Sequence, residues 1–499
     1  MIQGYDPCTG KPAGEPVAET TDSAVDAIAE AAAAARPGWE AMGPAGRAAA
    51  LRAVAGALDA QAAELAAVAD TETALGSARL TGEVARTTGQ LRMFADVLED
   101  GGYLDVIISP PAQGVPGLRR MVRPVGPVAV FSASNFPFAF SVAGGDTASA
   151  LAAGCAVVVK GHEAHPRTSQ LCADALRRGA ETANISADVV SLVLGRDAGT
   201  ALVLDPNIRA VGFTGSLSGG RALHDLASSR PSPIPFYGEL GALNPLVICP
   251  SAAKNRSAEI ATGLANSFTL GVGQFCTKPG LAFIPAANHQ LVAELTEAVN
   301  AKSASVLLNA RVQQGFAGGT TALLRLPGVA QLAAAQPPAT NDGWWGTPLL
   351  LEADAAALAG AVLDECFGPV LVIVRYESDN ELFDLLKKVG PALTASIHAD
   401  EDDLPLARRL VETFAARVGR VVWNGFPTGV AVAWAMHHGG PYPATTDALH
   451  TSVGASSIRR WLRPVAYQDV PQQLLPAELV DAPVAGQRLP RRVDGHLEN

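Results

Sequence analysis

Residues 125–160 read VGPVAVFSASNFPFAFSVAGGDTASALAAGCAVVVK, and this stretch decides the fold. Two short apolar runs, 125–131 and 156–160, flank a small-residue segment at 140–153 that suits a helix. The alternation continues downstream. A helix is predicted at 168–178, a third run at 189–194, a short helix at 199–204, a fourth run at 208–213 and a helix at 218–227. Four strand-then-helix units in succession predict a parallel, doubly wound sheet. Such sheets take ligands beyond the carboxyl ends of their strands.

A second alternating series starts near residue 244. Strands are predicted at 246–249, 281–284, 370–374 and 418–423, with helices at 258–270 and 290–301. Upstream, the first hundred residues read as helices. One covers 22–36. A second carries Leu51, Val54, Leu58, Leu65 and Val68 on one stripe, and a third carries Leu80, Val84, Leu91, Phe94 and Leu98. The organisation expected is therefore a helical and dinucleotide-binding part over 1–240, a second α/β part over 241–440, and a return segment with an arm over 441–499. The tail from Pro464, including Arg488 to Arg492, reads as an extended arm or as a frayed terminus.

Composition narrows the function classes. The chain has 499 residues, enough for two to four domains with sizeable cores. Its 37 Lys+Arg against 48 Asp+Glu give a net charge of −11, without an electrostatic footprint for nucleic acid or an anionic membrane. No stretch reaches the roughly 20 apolar residues of a membrane span, and the first residues lack the pattern of a signal peptide. Six cysteines without a CxxC pair read as reduced thiols of a cytoplasmic protein.

Five segments carry candidate chemistry. In 271–280, GVGQFCTKPG, glycines flank Cys276 and permit a tight path that exposes a nucleophilic sulfur; the bland alternative is a small buried hydrophobe. Glu239, between glycines at a predicted strand end, is a candidate general base or a solvent-facing turn residue. Asn135 follows the first strand and can donate its amide to an oxyanion, or simply make a turn into Pro137. Lys160, one of seven lysines, ends an apolar strand where a cofactor ribose or phosphate would lie. Thr214, Gly215 and Ser216 open a helix whose amides suit a pyrophosphate. His437, His438, His162 and His165 have no acidic or Cys partner at ligand spacing, so they read as loop-shaping residues and no metal is expected.

Together these segments resemble the aldehyde dehydrogenase family. The order of Asn135 in SNFPF, Lys160 in VVVK, 213–216 FTGS, Glu239 in GELG, Cys276 in GQFC and 365–369 ECFGP is that family's order. The stretches GGDTASALAAGCAVVVK, FTGSLSGGRAL, FYGELGALNP and 438–471 resemble its NADP-preferring branch of 2-oxoglutarate semialdehyde (2,5-dioxopentanoate) dehydrogenases. The resemblance implies an aldehyde dehydrogenase-like α/β fold with two doubly wound parallel-sheet domains and a small oligomerisation arm, to which a hairpin at about 115–125 belongs. It implies a homodimer or homotetramer. It implies that Cys276 attacks the aldehyde, that Asn135 and the Cys276 amide hold the oxyanion, and that Glu239 activates the water that hydrolyses a thioester.

For the cofactor, the resemblance implies that Lys160, Thr214, Gly215, Ser216, Glu365 and Phe367 line the site. Glu163 is placed to accept from a ribose 2′-OH and to repel a 2′-phosphate, whereas Arg196 is placed to bind that phosphate. NADP is expected, with NAD possible. Competing readings are oxidation of another semialdehyde or a fatty aldehyde, acyl transfer to coenzyme A, and a non-catalytic protein that kept the fold.

Overall fold

In the computed structural model, which describes residues 1–340, 342–482 and 489–498, the runs read from the sequence build a five-stranded sheet. Its order is Val190–Val193, Val157–Lys160, Val128–Phe131, Ala210–Thr214 and Phe236–Glu239, all parallel. The order reverses at Val128–Phe131, so a crevice opens beyond the carboxyl ends of that strand and its neighbour. Register brings Phe131 beside Lys160 and Phe213, and Thr214 beside Glu239, along that edge.

The helix expected at 140–153 starts only at Gly145. The cause is Glu83, whose carboxylate accepts from the amides of Phe138 (2.9 Å) and Ala139 (3.0 Å) and holds them in a turn outside the helix. The first helix runs past its expected end, through Pro37 to Ala41. An interior proline costs about 3 kcal/mol. Trp39, buried and donating its indole N–H to the Leu151 carbonyl at 3.0 Å, fastens that last turn and offsets the cost. The stripe from Leu51 to Val68 divides into helices Gly43–Asp59 and Ala62–Thr73. The Gln61 side chain donates to the Ala57 carbonyl (3.1 Å) where the first of these ends.

Past Glu239 the chain leaves this sheet, and Asn244–Ile248 enters a second one. Its order is Val329–Ala334, Leu349–Ala353, Val370–Tyr376, Pro279–Pro285, Asn244–Ile248, Ala392–His398 and Val418–Trp423. Only Val329–Ala334 runs antiparallel. Three of these strands, Val329–Ala334, Leu349–Ala353 and Ala392–His398, are absent from the sequence reading. Ala392–His398 escapes because Thr394, Ser396 and His398 alternate with small apolar residues and imitate a half-wet strand, although all seven residues are buried.

A third sheet joins Leu462–Gln468, Leu118–Pro124, Val106–Ser109, Arg491–Val493 and His496–Glu498. Residues 462–468 therefore pair antiparallel with Leu118–Pro124 rather than fraying, and Arg491 to Val493 lie along Val106–Ser109. Arg488 lies outside the described residues. Among the described residues, no helix is long and apolar enough to cross a membrane.

Candidate active site

The nucleophile loop is set by backbone geometry. After helix Ser257–Thr269, three successive residues adopt left-handed conformations: Gly271 (φ 55°), Val272 (φ 58°) and Gly273 (φ 66°). For β-branched Val272 this costs on the order of 1–3 kcal/mol. Gly273 is required twice over, because a Cβ there would lie 2.3 Å from the Gly368 carbonyl oxygen. The turn thereby packs against 365–369 and presents Cys276, half-buried, toward the end of the first sheet. Asn244 anchors the residues after the turn: its amide donates to the carbonyls of Cys276 (2.8 Å) and Lys278 (3.0 Å), and its oxygen accepts from the Thr394 amide (3.1 Å).

Opposite the sulfur stands Glu239, buried at the carboxyl end of its strand. One carboxylate oxygen accepts from the Ser452 hydroxyl at 2.7 Å. The other lies 2.9 Å from His438 Nε2, and the same nitrogen is 3.5 Å from Cys276 Sγ. The three reactive atoms fall within 4.8 Å of one another. His438 is itself held by its amide donating to Thr451 (2.8 Å) and its carbonyl accepting from the Ser452 amide (2.9 Å). A proton on Nε2 therefore has two acceptors facing it, sulfur and carboxylate.

Electrostatics follow from burial and this crowding. Burial, and then the Glu239 charge, push the Cys276 thiol well above its ordinary value. Burial alone would raise Glu239, but His438 beside it and hydrogen bonds from His438, Ser452 and Cys276 outweigh that and hold it below the usual carboxylate range. The resting site thus favours a thiol beside a charged carboxylate, with His438 Nε2 near both, and a base must take the thiol proton before the sulfur attacks.

Asn135 donates its side-chain amide to the Gln274 carbonyl (2.9 Å), which leaves its second amide hydrogen for another acceptor. Its own carbonyl accepts from Arg79 (2.7 Å), and Arg79 also lies over the rings of Phe136 (5.2 Å) and Phe275 (5.1 Å). The SNFPF turn and the Cys276 loop are thereby locked together. The structure places Cys276 and Glu239 side by side and ties Asn135 to the same loop through the Gln274 carbonyl.

On the cofactor side, Lys160 ends its strand buried and pairs with Glu163. Burial opposes the Glu163 charge, but Lys160 and His162 outweigh it and keep the carboxyl below the ordinary value. Arg196 is exposed at the first residue of helix Arg196–Leu204. Ser216 caps helix Leu217–Ser229 by accepting from the Gly219 amide, while Gly215 donates to the Glu239 carbonyl (3.0 Å). Thr214 sits beside Glu239 in the sheet. Glu365 reaches Gly241 so closely that a Cβ there would be 2.1 Å from its oxygen. Burial, moderated by Lys278 and reinforced by Glu239, pushes Glu365 up to about 7. Phe367 is half-buried in the same loop. Glycines at 215 and 241, cations at 160 and 196, and polar groups between them suit a dinucleotide laid across the strand ends.

The sequence reading missed His438, Ser452 and Asn244. It treated His437 and His438 as loop residues because no acidic or Cys partner sits nearby in sequence, and the fold corrects this by delivering Glu239 and Cys276 to His438. No spacing rule could have found them, since the partners come from the two sheets and the return segment. His162 and His165 do shape loops: His162 accepts from the Ala164 amide (3.0 Å) and His165 contacts the Ala133 carbonyl (3.1 Å).

A doubly wound sheet whose strand ends meet a cysteine, a carboxylate and an amide fits the class of thiol-dependent enzymes that use a dinucleotide. Residues 1–441 match the aldehyde dehydrogenase family model. The chain is 44% identical over its full length to alpha-ketoglutaric semialdehyde dehydrogenase 2 of Azospirillum brasilense, covering 96% of that protein. It is 43% identical to an alpha-ketoglutaric semialdehyde dehydrogenase of Acinetobacter baylyi, over 83% of this chain and 80% of that one. The chain belongs to the aldehyde dehydrogenase family. Solved structures share the fold. Aldehyde dehydrogenase C of Pseudomonas syringae, in complex with NAD+ and octanal, superposes at a TM-score of 0.79 with 21% identity over 93% of each chain. PnpE of Pseudomonas sp. WBC-3 gives 0.80 with 21% identity, over 97% of this chain and 95% of that one. Bifunctional proline utilization A gives 0.78 with 22% identity, and there the chain spans less than half (46%) of the larger protein. As a member of its family, the chain is an enzyme that oxidises aldehydes with NAD(P) through a cysteine.

Proposed function

We propose that this chain oxidises 2-oxoglutarate semialdehyde to 2-oxoglutarate, with NADP preferred and NAD usable. The substrate is supported by the full-length likeness to relatives of that name. The chemistry is supported by one observation: His438 Nε2 lies 3.5 Å from the Cys276 sulfur and 2.9 Å from the Glu239 carboxylate.

The Cys276 thiol passes its proton to His438, and Glu239 stabilises the imidazolium. The sulfur adds to the aldehyde carbon. The free amide hydrogen of Asn135 and the Cys276 backbone N–H hold the oxyanion. Lys160, Ser216 and Glu365 would hold NAD(P), which would supply the hydride acceptor. Departure of the hydride leaves the acyl group on Cys276 as a thioester, and Glu239 with His438 takes the proton of the water that hydrolyses it. A base already placed for water favours hydrolysis over transfer to coenzyme A. An assay of short semialdehydes and long-chain aldehydes with both cofactors, with and without coenzyme A, tests the reading. Preference for a long-chain aldehyde, or formation of acyl-coenzyme A, would overturn it.

Three smaller effects are expected. Asn135→Ala should lower kcat by about 10²–10³ by removing one oxyanion donor. His438→Gln should slow acylation by about 10²–10³ and steepen its pH dependence, because the buried thiol loses its proton acceptor; single-turnover formation of reduced cofactor reads this. Glu163→Gln should raise kcat/KM for NADP relative to NAD, and Arg196→Ala should lower it, because one change removes repulsion of a 2′-phosphate and the other removes its cation. A homodimer or homotetramer is supported by the open outer strands Leu462–Gln468 and His496–Glu498 of the third sheet, and a cytoplasmic location by six unpaired cysteines.

A further inference from the structure

Two arginines near the nucleophile loop each keep a buried guanidinium Nε without a hydrogen-bond partner among the described residues. Arg86, half-buried on helix Ser77–Asp100, lies over the Phe140 ring (5.8 Å) and donates to the Val430 carbonyl. Phe140 in turn packs edge-on against the His438 imidazole, with ring centroids 6.4 Å apart. Arg420, half-buried on Val418–Trp423, donates to the carbonyls of Pro427 (2.6 Å) and Gly429 (3.1 Å). Both guanidiniums thus grip one loop, 427–430. That loop is tied to the nucleophile segment, because the Gly429 amide donates to Thr277 at 3.0 Å, one residue after Cys276.

Among the described residues, neither arginine has a carboxylate within salt-bridge distance, and the Nε of each is buried without a partner. Glu83, three residues before Arg86 on the same helix, spends one oxygen on two backbone amides, leaves the other buried without a partner, and attracts Arg86 from beyond salt-bridge distance. The cost of burial is countered in part at Arg86 by the Glu83 charge and then by Cys276 as a thiolate, and at Arg420 by Cys276 as a thiolate. Buried cations without counter-ions are costly unless a ligand completes them, and a guanidinium with a free N–H is suited to a carboxylate.

We propose that Arg86 and Arg420 form the anion site that receives the carboxylate at the far end of the substrate, selecting short ω-oxo acids over neutral aldehydes. This rests on the semialdehyde reading above and names the residues that carry its specificity. The substrate carboxylate pairs with both guanidiniums, adding to the more distant Glu83 charge at Arg86 and supplying the absent counter-ion at Arg420, while the aldehyde end reaches Cys276. An acidic chain thereby binds an anionic substrate through two local cations.

The test compares kcat/KM for 2-oxoglutarate semialdehyde with that for pentanal, a neutral aldehyde of equal length, in wild type, Arg86→Met, Arg420→Met and the two Lys variants. A charge-assisted hydrogen bond contributes about 1.5–3 kcal/mol, so each Met variant is expected to lower the ratio of the two constants about 10- to 100-fold, through KM, and each Lys variant to restore part of it. A purely structural role in the 427–430 loop would lower both constants and leave the ratio unchanged, overturning the assignment. Glutarate supplies a second readout that does not depend on the substrate's identity. Competitive inhibition by glutarate should weaken by the same factor in the Met variants, and undiminished inhibition would also overturn it. If wild type itself prefers pentanal, the semialdehyde reading falls, and the glutarate result still decides whether the arginines bind a carboxylate.

Discussion

Cys276→Ala is expected to abolish aldehyde oxidation, with a loss on the order of 10⁶ in kcat, the scale seen when a covalent nucleophile is removed. Cofactor binding should be retained, because Lys160, Ser216, Glu365 and the strand ends that carry them do not depend on the sulfur. The other cysteines cannot substitute. Cys155, Cys172 and Cys249 are buried in the cores, and desolvation pushes Cys155 up to about 12 and the other two higher still. Cys8 is exposed near the N-terminus, with its thiol raised by burial and by Asp6. Cys366 is the serious competitor, since it follows Glu365. Its sulfur, however, faces the Phe316 carbonyl at 3.9 Å and the Gly319 backbone, away from Glu239 and His438. Cys366→Ala should therefore keep its activity and its sensitivity to iodoacetamide, whereas Cys276→Ala should lose the first with cofactor affinity unchanged by fluorescence titration. Turnover near the wild-type rate in Cys276→Ala would refute the nucleophile.

The legibility of this molecule follows the range of its interactions. Strands 128–131, 157–160 and 210–214 are legible because both faces are buried by helices, which makes each a continuous apolar run. Cys276, Glu239 and Asn135 are legible because turn chemistry marks each one locally with glycine or proline. His438 carries no local mark. Its neighbours in sequence are another histidine and two glycines, and its meaning comes from Glu239 and Cys276 meeting it from two different sheets. Arg86 and Arg420 carry no local mark either, and only the fold brings both to loop 427–430. Strand Ala392–His398 fails differently, because its polar residues are buried and periodicity alone assigns them to solvent.

Glu239→Gln is expected to change two rates in opposite directions, and this separates its role from simple structural support. Hydrolysis of the thioester should slow by about 10²–10⁴, because the amide cannot take the proton of the attacking water. Acylation and hydride transfer precede that step, so a pre-steady-state burst of reduced cofactor should appear at one equivalent per site and be followed by slow turnover. The Cys276 thiol should move the other way. After burial, the Glu239 charge is the largest cause holding that thiol up. Removing a negative charge beside a sulfur favours the thiolate, so the thiol titrates at lower pH and alkylation by iodoacetamide at neutral pH becomes faster than in wild type. Burial stays, so the thiol remains above its ordinary value and the gain is partial. The Ser452 hydroxyl can still bond to the new side chain, which keeps the strand end in place. Loss of fold would slow both reactions and give no burst. A burst with slower alkylation would mean that Glu239 acts on the thiol chiefly by drawing off its proton through His438, and that its repulsion of the thiolate is the lesser effect.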